Sequence, residues 1–323
     1  MHIKSFYLLF YFLILSNLSK AQAPLKTFSK ELTVITDNDN YDFEFTDRYY
    51  SNGFIINFNW LALASTGKKY LKKINRLEAG HKVFNPYKNN ESTAIVLQNM
   101  DRPYAGWLYG SYGITKIYKN SSVLLYGGTL GIMGPSARGR QIQKGWHKFI
   151  GLYDVFGWEY QLNDEVGLNG NAEFYHSLLQ NTGKNNVSIH LVSKANLGNT
   201  FTNASAGFLI KTGKLNAEEE TGYWSANLSS NTKAPVKKEI VFFLEPTVML
   251  QGYNATLQGG MFRKDKGPYT STMKPAVLQA KIGAIIPGNA AGLRIYYTFR
   301  TREGGTMKLG EHWGSIGLTV RFR

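Results

Sequence analysis

The chain has 323 residues, and 37 Lys and Arg against 22 Asp and Glu give a formal net charge of +15. Its 14% aromatic and 18% charged content excludes a disordered chain, and zero Cys excludes a disulfide scaffold, a Cys-ligated zinc site and thiol catalysis. A mean hydropathy of -0.27 argues against a bundle of membrane helices, whereas 20 Tyr, 19 Phe and 33 Gly suit a chain built mostly of β-strands.

Residues 1–23 read as a cleaved signal peptide. Lys4 is a positive start, Phe6 to Leu15 is almost unbroken apolar sequence, and Ala21-Gln22-Ala23 has the small-x-small spacing that signal peptidase reads. The apolar run is short for a bilayer span of about 20 residues. Export with cleavage after Ala23 is the expectation, leaving a single domain over 24–323. Loss of Lys4 and Lys20 with the leader takes the charge from +15 to +13.

After the leader no apolar run exceeds five residues, which excludes a transmembrane helix. What recurs is alternation. Phe54, Ile56, Phe58 and Trp60 share one face of a predicted strand, opposite Gly53, Ile55, Asn57 and Asn59. Val166, Leu168, Ala172 and Phe174 repeat the pattern, as do Leu293, Ile295, Tyr297 and Phe299, and finally Ile316, Leu318, Val320 and Phe322. Period two with one apolar face is the strand signature. A soluble sandwich turns that face to a core, and an outer-membrane barrel turns it to lipid with the polar face lining the lumen. Three features favour the barrel. The strands are long, about ten residues against the usual five or six. The separators are uneven, short at Lys119-Asn120 and Asn163-Asp164 and long around 64–100 and 213–238. The chain also ends on a strand with Phe322 as its penultimate residue. The fold class is therefore all-β, an antiparallel transmembrane barrel of about 12 strands. The polar stretch Lys214 to Lys238 reads as a mobile loop within one domain.

Four patches interrupt the alternation. Asp37-Asn38-Asp39-Asn40 closes the first mature strand, either as an Asx-rich turn or as a source of hard oxygen ligands suited to Ca²⁺. Thr46-Asp47-Arg48-Tyr49-Tyr50-Ser51-Asn52-Gly53 leads into the Phe54 strand, and Asp101-Arg102-Pro103-Tyr104-Ala105-Gly106-Trp107-Leu108-Tyr109 forms a third. The fourth spans 134–149. Gly134-Pro135 stops a strand there, and Gln143 and His147 follow at i,i+4, which puts an amide and an imidazole on one helix face, although Gly145 weakens the helix. Of the other histidines, His176 ends a strand on its apolar side, His190 sits in a strand, and His81 and His312 lie near loops.

In order and spacing these patches resemble the outer-membrane lipid A 3'-O-deacylases, over essentially the whole mature chain. The Asp-Arg-Pro-Tyr-Ala-Gly-Trp block and the Gly-Pro…Gln…His block are the specific parts. The resemblance implies a 12-stranded barrel and a Ca²⁺-dependent hydrolase that removes the ester-linked acyl group at the 3' position of lipid A. It places His147 at the catalytic histidine, Gln143 one turn earlier, and Asn38 and Asp39 at the polar pair on the first strand. Ser51 stands where the family usually has Thr, keeping the hydroxyl. For the family's essential lysine, Lys88 after Phe84-Asn85-Pro86-Tyr87 is one candidate, with Arg102 able to share the role.

The chemistry follows independently of the resemblance. Ester hydrolysis needs a nucleophile, a base and a group to hold the oxyanion. There is no Gly-x-Ser-x-Gly elbow and no His-x-Ser pair, so a water deprotonated by His147 fits best. Ca²⁺ held partly by Asp39 and Asn38 would polarise the carbonyl. Asn38 and Arg102 would donate to the oxyanion or to a phosphate, and Gln143 would orient His147 or the water. The basic pairs Lys68-Lys69 and Lys72-Lys73, with Lys264-x-Lys266, suit either solvated loops or grip on an anionic lipid surface. Dispersed charge and export make nucleic acid an improbable partner. The expected partner is lipopolysaccharide, handled by a monomer in the outer membrane of a Gram-negative cell. A related hydrolase on another acylated lipid, or a barrel acting as channel or scaffold, are the alternatives. An enzyme should bring His147 and the Asx cluster together in space.

Overall fold

The computed structural model describes residues 28–42, 47–62, 69–180, 186–229 and 238–323; the signal-peptide expectation lies outside them. Twelve strands are present among these residues: β1 Lys30–Asn38, β2 Tyr49–Leu61, β3 Tyr70–Asn85, β4 Ala105–Tyr118, β5 Val123–Met133, β6 Glu165–Leu179, β7 Val187–Gly198, β8 Phe201–Lys214, β9 Ile240–Asn254, β10 Ala276–Ile286, β11 Ala291–Arg300 and β12 Glu311–Phe322. Each pairs antiparallel with its sequence neighbour, and β1 pairs with β12, so the sheet closes into a barrel with no free edge.

The alternation resolves as lipid-facing against lumen-facing. Phe54, Val166, Leu168, Phe299 and Val320 point outward and are exposed, whereas their polar neighbours turn in. At the closing seam the inward side chains meet in pairs. Thr33 Oγ1 lies 2.8 Å from Thr319 Oγ1, and Arg321 Nε donates to Glu31 Oε2 at 2.7 Å, with all four residues buried. Further up the lumen Lys194 sits between Glu245, at 2.6 Å, and Glu173, at 3.7 Å. A sandwich core filled with paired charge would be destabilising, since each buried ion costs several kcal/mol to desolvate. A barrel in lipid makes the interior the place where polar groups belong.

The lumen is crowded rather than open, with cavities of about 270 and 310 Å³ left among its inward side chains. At the end where β1 begins and β12 finishes, residues 215–229 fold inward. Trp224 packs 4.7 Å from Tyr175, centroid to centroid, in a cluster with Val192, Leu209, Leu228 and Phe243. Its Nε1 donates to Glu218, which also takes both 2.6 Å bonds from Lys211 Nζ. Lys72 Nζ reaches across to the carbonyls of Ala226 and Leu228. At the opposite end Tyr50, Phe84, Trp107, Tyr109 and Trp313 form a second cluster. Arg300 there bonds Glu311 at 2.9 Å and Glu303 at 3.2 Å.

Three expectations are corrected here. The Lys214 to Lys238 stretch is not a mobile loop over its described part, because Trp224 and Leu228 bury themselves and Glu218 neutralises Lys211. Its polar composition hid these apolar anchors. Lys72 is a strand residue that fastens this plug inside the barrel, not a headgroup contact. Asn163-Asp164 is no tight turn but the end of the long 134–164 connection, whereas 119–122 is the short turn expected. Replacing Trp224 by Ala should cost about 3–5 kcal/mol of stability, read by circular dichroism during denaturant unfolding of the refolded barrel. A midpoint equal to wild type would mean that the plug is not packed as described.

Candidate active site

The site is built where the 134–164 connection leans back on the outside of β2–β4. A 3-10 turn, Pro135–Ala137, leads into α2, Gly139–Ile150 (α1 is the short Thr93–Gln98 helix and α3 is Ala255–Gln258). Gly139, Gln143 and His147 form the buried stripe of α2 at i, i+4 and i+8. Gly139 is required by the close approach. A Cβ there would stand 2.6 Å from the Trp158 ring and 3.2 Å from Gly106 Cα, so the helix lies flush on β4 only because both positions are glycine. Ile142, Trp146 and Phe149 occupy the neighbouring face and remain exposed. They wall a groove of about 330 Å³ whose other wall is Phe54, Val83 and His81 and whose polar end is Asn38, Asn52 and Gln143.

Around His147 the geometry is specific. Gly151, with φ 73°, ends the helix in the left-handed region that favours glycine and turns the chain back beneath the ring. His147 Nδ1 then donates to Tyr153 O at 2.8 Å, and Tyr153 packs edge-on at 5.0 Å. That bond fixes the tautomer and leaves Nε2 as the nitrogen that exchanges a proton. Nε2 lies 2.5 Å from Asp47 Oδ2, a close charge contact whose direction is not that of an aligned hydrogen bond. The same Oδ2 accepts Gln143 Nε2 at 3.1 Å, and Gln143 Oε1 accepts Trp158 Nε1 at 2.7 Å. Gln143 therefore holds the carboxylate that holds the imidazole.

From Asp47 the network continues to the Asx cluster. Asn40 Nδ2 donates to Asp47 Oδ1 at 3.3 Å, and the Asn40 amide N–H donates to Asn38 Oδ1 at 2.7 Å. Asn38 Nδ2 donates to Asn52 Oδ1 at 2.7 Å, and Asn52 and Asn85 both donate to Ser51 Oγ, at 3.2 and 2.8 Å. Asp39 Oδ2 accepts the Arg48 amide N–H at 2.7 Å. His147, Gln143, Asn38, Asp39 and Ser51 are thus brought into one connected patch, although they lie far apart in sequence.

Two expected residues stand elsewhere. Lys88 is half exposed and pairs with Glu91 at 3.0 Å on the 86–104 connection. Arg102 is fully buried in the barrel mouth, bound to Glu303 and Thr256 and stacked 4.6 Å over Phe84. Its charge is consumed there by a carboxylate that sequence spacing could not reveal. Two further side chains belong to this region. Asp47, in the Thr46 to Gly53 stretch, offers its acidic character as the one signal in the sequence. His81 is a β3 residue, not a loop one, with Nε2 bound to Ala137 O at 2.7 Å.

Among the described residues no group of three or more His, Cys, Asp or Glu is close enough to hold a metal. The oxygen chemistry of the corner nevertheless suits a hard cation. Asp39, Asp47, Asn38 and Asn40 offer carboxylate and amide oxygens, and Asn40 Oδ1 is buried with no hydrogen-bond partner.

Burial by itself would lower the His147 pKa, but the Asp47 carboxylate, aided by the Tyr153 carbonyl and Asp154, more than offsets it and holds the imidazole above its ordinary value. A raised pKa stabilises the folded site below the unfolded value of about 6.5, and this contribution disappears as pH rises through the folded pKa. Asp47→Asn should lower the His147 pKa, followed by NMR titration of the imidazole. An unchanged titration would show that Asp47 does not govern it.

Set against known proteins, the chain matches a family profile described as Outer membrane protein LpxR over residues 7–322. Among solved structures it is similar to LpxR from Salmonella typhimurium, at 17% identity and a TM-score of 0.68, with 90% of this chain and 100% of that chain covered. A looser similarity, at 10% identity and a TM-score of 0.47, covers 92% of this chain and 99% of the beta domain of the Bordetella autotransporter Brka. The first likeness is one of fold. Comparison with curated proteins gives no match.

Proposed function

The chain belongs to the outer membrane protein LpxR family, and from that premise we propose that it is a lipid A 3'-O-deacylase, an ester hydrolase using water activated by His147. The observation that carries this reading is the contact of His147 and Gln143 with Asp47, continuous with Asn38 and Asp39, at the polar end of an apolar groove on the outer wall. An acyl chain fits that groove while its ester reaches the polar end. A crowded lumen supports the same reading over a channel.

His147 Nε2 takes a proton from a water attacking the acyl carbonyl. Its Nδ1–H stays on Tyr153 O, and Asp47 stabilises the imidazolium that forms. Collapse of the tetrahedral intermediate breaks the bond to the sugar oxygen, and the imidazolium returns its proton there. The products are a fatty acid and a sugar hydroxyl. Gln143, anchored by Trp158, keeps Asp47 aligned, and Ser51 orients the Asn52 amide that in turn holds Asn38. Asp39 with Asn38 and Asn40 would hold Ca²⁺, whose charge would polarise the ester carbonyl. Lys88 and Arg102 have no part in this scheme.

His147→Ala should reduce turnover by at least the 10²–10⁴-fold contributed by a general base, with the barrel still folded. Mass spectrometry of lipid A from expressing cells reads this as retention of the 3'-linked acyl or acyloxyacyl group. Equal loss of that group in the variant would overturn the His147 mechanism. Because the base must be neutral, kcat/KM should rise with pH through a pKa above about 6.5. A flat profile across that range would remove the imidazole from the rate. Chelation should abolish turnover and added Ca²⁺ restore it; activity insensitive to both would exclude the cation.

A further inference from the structure

A second concavity lies on the outer wall, on the other side of the β1–β2 corner. It is a trough of about 1260 Å³ running over β7–β12, against about 330 Å³ for the groove beside α2. Its floor is made of small residues, Ala206, Gly207 and Ala280, and its sides are Phe208, Val248 and Phe299. Small residues between large ones on a lipid-facing wall make a channel for chains, not a flat belt. The volume exceeds the range of about 300–1,000 Å³ typical of single small ligands.

The upper rim of the trough is cationic. Arg48, Arg302 and Lys308 all line it. Arg48 and Lys308 approach the Tyr87 ring, at 6.0 and 5.4 Å from its centroid. Lys308 Nζ bonds the neutral Asn99 Oδ1, and Arg302 Nη1 donates to the Met307 carbonyl. The one carboxylate on the lining, Glu311, is bonded to Arg300. Arg48 Nη2 lies 3.0 Å from His312 Nε2, whose other nitrogen is 2.5 Å from Tyr297 OH. Arg48 also links the two concavities, because it follows Asp47 in the chain and its amide holds Asp39.

Resting on the ester-cleavage reading above, we propose that the trough seats the remainder of the same lipid A molecule. The leaving chain occupies the groove beside α2, a sugar phosphate binds Arg48, Arg302 and Lys308, and the retained chains lie on the Ala206–Ala280 floor. Cationic guanidinium and ammonium groups above an apolar channel are complementary to a phosphate above acyl chains. The lipid then straddles the corner that carries Asp39 and Asp47, which fixes which ester meets His147.

The test uses the full barrel in detergent, with native mass spectrometry of bound lipid A that carries or lacks its phosphates. Wild type should retain the phosphorylated form on the order of tenfold better. The exposed-rim double variant Arg302→Gln with Lys308→Gln should erase that preference, and Ala280→Trp should weaken both forms. A preference that survives the double variant, or an Ala280→Trp barrel that binds as wild type, overturns the proposal. Deacylation is followed in parallel as the ratio of kcat/KM for the two lipids, which should fall about tenfold in the double variant. Charge-dependent binding without any hydrolysis counts against ester cleavage and leaves the trough standing. Hydrolysis with no dependence on the rim charges overturns the trough alone.

Discussion

A membrane leaves no water to satisfy backbone N–H and C=O groups, so a sheet within it must close. Here closure is made by β1 pairing with β12 along its whole length, from Lys30 opposite Phe322 to Asn38 opposite Gly314. Everything else is arranged around that condition. The outward side chains become a lipid-facing coat, and the inward ones must be polar yet compact, which Lys194 with its two glutamates and the inward-folded 215–229 segment accomplish. The candidate site, by contrast, lies on the outer wall. Helix α2 supplies it by lying against β4 through Gly106 and Gly139.

The position of the site follows from this division. His147 and Gln143 face the wall, while Ile142, Trp146 and Phe149 on the adjacent face of α2 stay exposed and line the apolar groove. One helix thus borders the polar network and the apolar groove at once, and an ester is the functional group at which an acyl chain joins a sugar. The geometry around the imidazole is similarly economical. Residues 147 to 153 form one reversal, so the imidazole and the carbonyl that fixes its tautomer move as a unit.

Much of this was legible in the sequence because it depends on local spacing. The alternating faces of β2, β6, β11 and β12 followed from period two, and the shared face of Gln143 and His147 followed from i,i+4. The Asx corner was visible from composition. Other features depend on where chain segments return after long excursions. Asp47 is the partner of His147 only because β2 and the 134–164 connection meet, which no spacing encodes. Arg102 had the right charge in a specific motif, yet the burial of Glu303 beside it turns that charge inward. Lys88 follows an aromatic run in the sequence, and the fold sends it to the surface. The 215–229 segment misled for a related reason, since three consecutive glutamates outweighed one tryptophan in composition but not in packing.

The groove beside α2 opens sideways, among the exposed residues of the lipid-facing wall, and not into the lumen. A lipid reaching it need never leave the leaflet. Encounter is then governed by lateral diffusion in two dimensions, and the quantity that sets occupancy is the surface mole fraction of the lipid, not its molarity in any bulk phase. For the ester cleavage proposed above, the membrane is then a substrate reservoir whose composition the barrel gradually changes.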